Sequence, residues 1–115
     1  MSVYWVYLLR CADGSLYAGI TTDPDRRLRE HAGERPGGAK YTAAHPPVGF
    51  AALWQAEGRS AASRLEYRLK RLDHARKEAL VRGEELPGLL PEGCRKAGIS
   101  IDSYSLSIDG DPQKE

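Results

Sequence analysis

Two tyrosines, Tyr7 and Tyr17, precede an arginine and a histidine four residues apart, Arg27 and His31, and a glutamate, Glu66, follows farther along the chain. A phenol held near a cation and an arginine is driven toward phenolate and can then take a proton from water. Arginine supplies a planar, permanently charged fork suited to phosphate oxygens. A spacing of four puts Arg27 and His31 on one face of a helix, where the imidazole can orient a hydroxyl or a water, or assist proton transfer. The Glu66 carboxylate suits a hard cation, Mg²⁺ or Mn²⁺, which keeps most of its waters and needs few protein ligands. Each residue also has a plainer use. A strand tyrosine packs its ring and hydrogen-bonds its hydroxyl, a histidine ending a helix interacts with the dipole, and Ser63-Arg64-Leu65-Glu66 reads as a capping box.

The elements that must position these groups follow from local patterns. Val3–Leu9 is β-forming at every position, as for a strand buried on both faces. Asp13-Gly14 marks a hairpin turn, because both residues tolerate positive φ, and Ser15–Ile20 is the partner strand. Asp23 as N-cap and Pro24 as first helical residue open a helix from Pro24 to about Ala32, anchored by Leu28. Gly33–Pro47 holds Pro36, Gly37-Gly38 and Pro46-Pro47 and reads as a loop. Within it Lys40 and Tyr41 form a basic, aromatic patch, either a phosphate-contacting loop or a plain connection. Val48–Ala56 is a third strand, and Glu57-Gly58-Arg59 a turn. Ser60 opens a second helix, Ala61–Leu72, whose buried stripe of Ala62, Leu65, Leu69 and Leu72 leaves Glu66 at its border. A short third helix, about Ala75–Val81, ends at Gly83. With Lys40 and Tyr41, the arginines Arg26, Arg64 and Arg68 on these helices are candidate nucleic-acid contacts. The expected fold is a single α/β (α+β) domain over residues 1–83, a small three-stranded mixed or antiparallel sheet with helices packed around it.

The chain's 115 residues, 41% hydrophobic and 29% charged, describe an ordinary globular domain. No apolar run approaches the roughly 20 residues needed to span a bilayer, and no signal-peptide pattern follows Met1. Cys11 and Cys94, without metal-ligand spacing, read as free thiols, and the cytoplasm is the expected compartment. The net charge of +1 hides an asymmetry. Residues 1–83 hold 14 Lys/Arg against 9 Asp/Glu, and residues 84–115 hold 3 against 7. The folded part is therefore basic, as a phosphate-rich partner would require, and the remainder is an acidic tail. That tail has a weak strand-like alternation at Ile99, Ile101, Tyr104, Leu106 and Ile108, and its last residues, 110–115, are expected to be disordered.

Taken in order, these signals resemble the GIY-YIG nuclease domain, in particular its small stand-alone bacterial members of the UPF0213 group. Val6-Tyr7-Leu8 stands in place of the first element and Tyr17-Ala18-Gly19 in place of the second, while Gly19, Thr21, Arg27 and His31 match the downstream pattern. The first element lacks its glycine, and Ala18 replaces the usual isoleucine. The resemblance spans about residues 3–83. It implies a metal-dependent endonuclease in which Tyr17 is the general base and Tyr7 positions the nucleophile, although the residues alone leave those two parts interchangeable. It further implies Arg27 on the scissile phosphate and Glu66 holding one Mg²⁺ or Mn²⁺. The implied substrate is nucleic acid, DNA before RNA, with structured or damaged DNA in repair as the expected setting. Two readings compete: a noncatalytic nucleic-acid-binding module on the same fold, and a protein-interaction domain using Trp5, Trp54 and the acidic tail. The joint presence of Tyr7, Tyr17, Arg27, His31 and Glu66 favours the enzyme, since binding alone does not require that combination.

Overall fold

A computed structural model of the chain describes residues 3–31 and 46–97. Strands β1 (Val3–Cys11) and β2 (Leu16–Thr21) are followed by helix α1 (Pro24–His31) and strand β3 (Pro47–Glu57). Helices α2 (Arg59–Lys70) and α3 (His74–Val81) and the short strand β4 (Cys94–Lys96) complete the described chain. The strands form one sheet in the order β2-β1-β3-β4, and every pairing is antiparallel. Lys40, Tyr41 and the alternation at 99–108 lie outside the described residues.

Local chemistry sets the element ends. Gly14 takes a φ of 90° in the four-residue connection between β1 and β2, the Asp13 carboxylate accepts from the Ser15 backbone N–H at 3.0 Å, and the loop closes as its sequence predicts. The Asp23 carboxylate accepts from the Arg26 N–H at 3.1 Å, and that of Asp73 from the Arg76 N–H at 2.9 Å, so α1 and α3 both begin on an N-cap aspartate. Helix α2 starts instead after Gly58, with no side-chain cap. Ser63 therefore lies inside the helix, and the Ser63–Glu66 capping box does not exist.

The sheet has four strands rather than the expected three. The fourth pairs Cys94, Arg95 and Lys96 with Ala56, Gln55 and Trp54. Three residues, two of them exposed and cationic, carry no alternation by which sequence could mark a strand; the free edge of β3 supplies the template. Just before it, Leu89 packs into the core, so part of the acidic region belongs to the folded body.

β1, with neighbours on both sides, is buried from Val6 to Leu9 at 0–1% exposure. Its residues alternate between two cores. Val6 and Leu8 meet Ala52, Trp54, Ala62, Leu65 and Leu69 under α2, whereas Tyr7 and Leu9 meet Leu28, Phe50 and Leu53 under α1. Strict alternation along β3 would put Phe50 with Ala52 and Trp54. The register against β1 instead steps from Ala52↔Leu8 to Phe50↔Leu9, leaving Ala51 as the extra residue of a bulge that turns Phe50 to the α1 side. Cys11 and Cys94 are free thiols. Among the described residues no helix is long and apolar enough to cross a membrane.

Candidate active site

On the α1 face the backbone registers bring the chemistry together. Tyr7 pairs with Gly19 and Leu9 with Tyr17 across β1 and β2, so the two tyrosines and Gly19 share one side of the hairpin. Helix α1 crosses that side with Leu28 and His31 turned inward. The Tyr7 hydroxyl lies 2.8 Å from His31 Nε2 and accepts a longer contact, 3.4 Å, from Arg27 Nε. The His31 ring stands edge-on to both tyrosines, with centroids 5.8 Å from Tyr7 and 5.6 Å from Tyr17. Phe50, re-aimed by the bulge, tilts against Tyr7 at 4.9 Å and walls the site.

Burial decides the protonation states. Tyr7 is 1% exposed, and desolvation pushes its phenol up to about 12, a rise that Arg27 opposes and the charges of Tyr17 and Glu66 reinforce. His31, 3% exposed, is driven down to about 4, first by desolvation and then by the Arg27 cation, with Glu30 acting the other way. At neutral pH a neutral phenol therefore faces a neutral imidazole. Since Arg27 donates to the Tyr7 oxygen, the Tyr7 proton is available to Nε2, which a neutral ring can offer as an acceptor. Tyr17 is only half-buried and is the more accessible of the two phenols.

Arg27 is fixed from a second direction, donating to Glu30 Oε1 at 2.9 Å, while its side chain keeps 23% exposure. Glu30 also pairs with Arg26 at 3.5 Å. It is a site residue the sequence reading did not single out, although its spacings of three and four from the two arginines carry the signal. Glu66 sits beside the buried stripe of α2 with 24% side-chain exposure and a Lys70 contact at 3.4 Å, close enough for its charge to act on Tyr7. Among the described residues no group of three or more His, Cys, Asp or Glu could hold a metal. A single accessible carboxylate would suit a hard, largely hydrated divalent cation such as Mg²⁺ or Mn²⁺, and does not fit a closed structural metal site.

The structure thus joins Tyr7, Tyr17, Arg27 and His31 and sets Glu66 within electrostatic reach. The other candidates lie apart. Arg26 is largely exposed on α1, and Arg64 is exposed on α2, donating to Ser60 Oγ at 3.0 Å. Arg68 donates to the carbonyls of Gly88 and Leu89 at 3.2 and 2.9 Å and so pins the segment leading to β4. A cleft of about 390 Å³ lined by Trp54, Leu80, Leu86, Leu89 and Lys96 shares no residue with this site.

Residues 3–79 match the GIY-YIG catalytic domain. The UPF0213 protein BH0048 of Halalkalibacterium halodurans is 45% identical over 78 residues, 68% of this chain and 81% of that protein. A UPF0213 protein of Vibrio cholerae is 48% identical over 85 residues, 71% of this chain and 80% of its own. The solution NMR structure of BH0048 superposes with a TM-score of 0.46 at 42% identity, covering 74% of this chain and 88% of that one.

Proposed function

The chain belongs to the GIY-YIG family of nuclease domains, and from that premise we propose that it is an endonuclease hydrolysing phosphodiester bonds in nucleic acid, DNA before RNA, with a divalent cation held at Glu66. The observation that carries the catalytic reading is the Tyr7 hydroxyl buried between His31 Nε2 and Arg27 Nε. A purely structural tyrosine needs one partner; this one organises a cation and an imidazole beside a second, more accessible phenol.

The residues divide the work as follows. Arg27, partly exposed and held by Glu30 and Tyr7, receives the scissile phosphate and offsets charge growing on its non-bridging oxygens. Tyr17, in its ionised form, takes the proton of the attacking water at its phenolic oxygen as the new P–O bond forms and the bond to the leaving oxygen breaks. Tyr7 stays protonated and fixes Arg27 and His31. His31, neutral, orients both tyrosines. The cation supplies Lewis-acid stabilisation of phosphoryl charge when bound. Structured or damaged DNA is the substrate class to examine first, and the cytoplasm the expected compartment.

The test is a cleavage assay on single-stranded, duplex and branched DNA and on structured RNA, in Mg²⁺, Mn²⁺ or EDTA, with Glu66→Ala and Arg27→Ala alongside. Mn²⁺ binding is followed in parallel by paramagnetic resonance. The expected result is metal-dependent cutting lost in both variants, with Mn²⁺ binding lost in Glu66→Ala alone. Cutting that survives Glu66→Ala would overturn the metal assignment, and binding without cutting would favour the noncatalytic module.

A further inference from the structure

The arginines of this protein are unequally partnered. Arg10, Arg26, Arg27, Arg29, Arg76 and Arg82 each pair with a carboxylate. By contrast, Arg59, Arg64, Arg68 and the C-capping Arg71, all on α2 or its end, have no carboxylate partner among the described residues. In their midst Tyr67 is 62% exposed, more than Val3 or Leu90, the other exposed large apolar residues among those described. The Arg71 guanidinium lies 5.5 Å above the Tyr67 ring and donates to its hydroxyl at 3.3 Å.

We propose that Tyr67 and Arg71, flanked by Arg64, form a second nucleic-acid contact in which an unpaired base beside the cleaved bond stacks on the Tyr67 ring. This rests on the nuclease reading and deepens it by adding a site for substrate outside the catalytic residues. With Arg68 committed to the Gly88 and Leu89 carbonyls, the exposed Arg59, Arg64 and Arg71 make a surface complementary to phosphate rather than to an acid-balanced protein face. An exposed ring with a guanidinium beside it is a stacking platform open to any base. Continuity with the active site follows from the helix. Successive residues are rotated by about 100°, so Tyr67 lies on the solvent side of Glu66, and a strand passing Glu66 meets Lys70, Tyr67 and Arg71 in turn. Duplex DNA offers no free base face at its flank, so the contact selects substrates with a single-stranded segment next to the cut.

The experiment measures binding of the full chain by fluorescence anisotropy in EDTA, with oligonucleotide integrity checked on gels. The probes are a blunt duplex and the same duplex carrying a single-stranded flank with 2-aminopurine. The variants are Tyr67→Ala, Tyr67→Phe and Arg71→Ala. The expected result is about a tenfold loss of flanked-probe affinity in Tyr67→Ala, retention in Tyr67→Phe, and unchanged blunt-duplex binding in both. Quenching of 2-aminopurine disappears only in Tyr67→Ala, and Arg71→Ala lowers the salt slope by about 0.7. Equal binding of both probes by the parent and Tyr67→Ala overturns the proposal even if the parent cuts DNA. The tyrosine effect without any cutting in Mg²⁺ overturns the nuclease reading and leaves this contact standing. Failure to bind either probe overturns both.

Discussion

The ring of Tyr7 lies across Gly19, so close that a Cβ on Gly19 would stand 2.3 Å from the Tyr7 hydroxyl oxygen and 2.5 Å from Cζ. The two residues face each other directly in the β1–β2 register. The glycine of the Tyr17-Ala18-Gly19 element is therefore a space requirement of the other tyrosine and owes nothing to positive φ. Replacing it moves the Tyr7 ring, the hinge of the site. Gly19→Ala is expected to cost about 2 kcal/mol of stability as an overpacked core position. It should also cut the cleavage rate by at least about 100-fold through misplacement of the Tyr7 hydroxyl. Denaturant midpoints and single-turnover rates check the two effects separately, and a fully active Gly19→Ala protein would show that the hydroxyl position does not matter.

The two tyrosines should separate by their signatures. Tyr7→Phe removes the hydroxyl between His31 and Arg27 and leaves a buried imidazole nitrogen without that partner, a loss of about 1–2 kcal/mol, along with the cleavage rate. Tyr17→Phe, at a half-buried position, is expected to change stability by no more than about 0.5 kcal/mol. Its rate should fall about 100- to 10,000-fold as the proton acceptor is lost. Thermal melts and rates on both variants decide the matter. A reversed pattern, with Tyr17→Phe active and Tyr7→Phe inactive, would hand the base role to Tyr7.

Much of this site was legible in the chain, because its signals are local. The Asp13-Gly14 loop, the Asp23-Pro24 helix start and the spacing of Arg27 and His31 each fix one or two turns of backbone, and hairpin pairing does the rest. What could not be read arises from contacts between distant segments. The three residues of β4 exist because β3 has an edge to offer, and Phe50 reaches Tyr7 only because Ala51 is bulged out. Arg68 looks in sequence like any basic helix residue, yet its guanidinium is committed to the carbonyls of Gly88 and Leu89. Nor could composition reveal that His31, polar and at a helix end, is as buried as the leucines beside it.

A link far from the candidate site supplies a control. Arg10, at the end of β1, makes a two-pronged contact with Glu78 on α3, one prong at 2.7 Å, and also donates to the Gly14 carbonyl at 3.1 Å. Its hydrogen bonds hold the Glu78 carboxyl below its ordinary range. The pair is about a quarter exposed on each side, so the forked geometry is worth about 1 kcal/mol rather than more. Arg10→Met should lower the urea midpoint accordingly and leave the cleavage rate of the folded protein unchanged. A rate loss at full folding would mean that the hairpin tip communicates with the site.

The pH dependence of stability should bear the mark of the buried pair. His31 falls from its ordinary 6.5 to about 4 in the folded protein, so between those values the unfolded chain binds the extra proton. Its contribution is fully present above pH 6.5 and is lost as pH falls toward 4, with a limiting size of ~3 kcal/mol. Tyr7 is displaced from 10.0 to about 12, which keeps it protonated in the fold when the unfolded chain ionises. Its contribution is intact below pH 10 and is lost as pH rises toward 12. The folded state should therefore be most stable between about pH 6.5 and 10, with an acid limb that flattens in His31→Gln and an alkaline limb that flattens in Tyr7→Phe. Urea midpoints collected across the range for all three proteins give the slopes directly. Parallel acid limbs in the parent and His31→Gln would mean that the imidazole is solvated and titrates normally, which would remove the neutral acceptor that the Tyr7 proton requires.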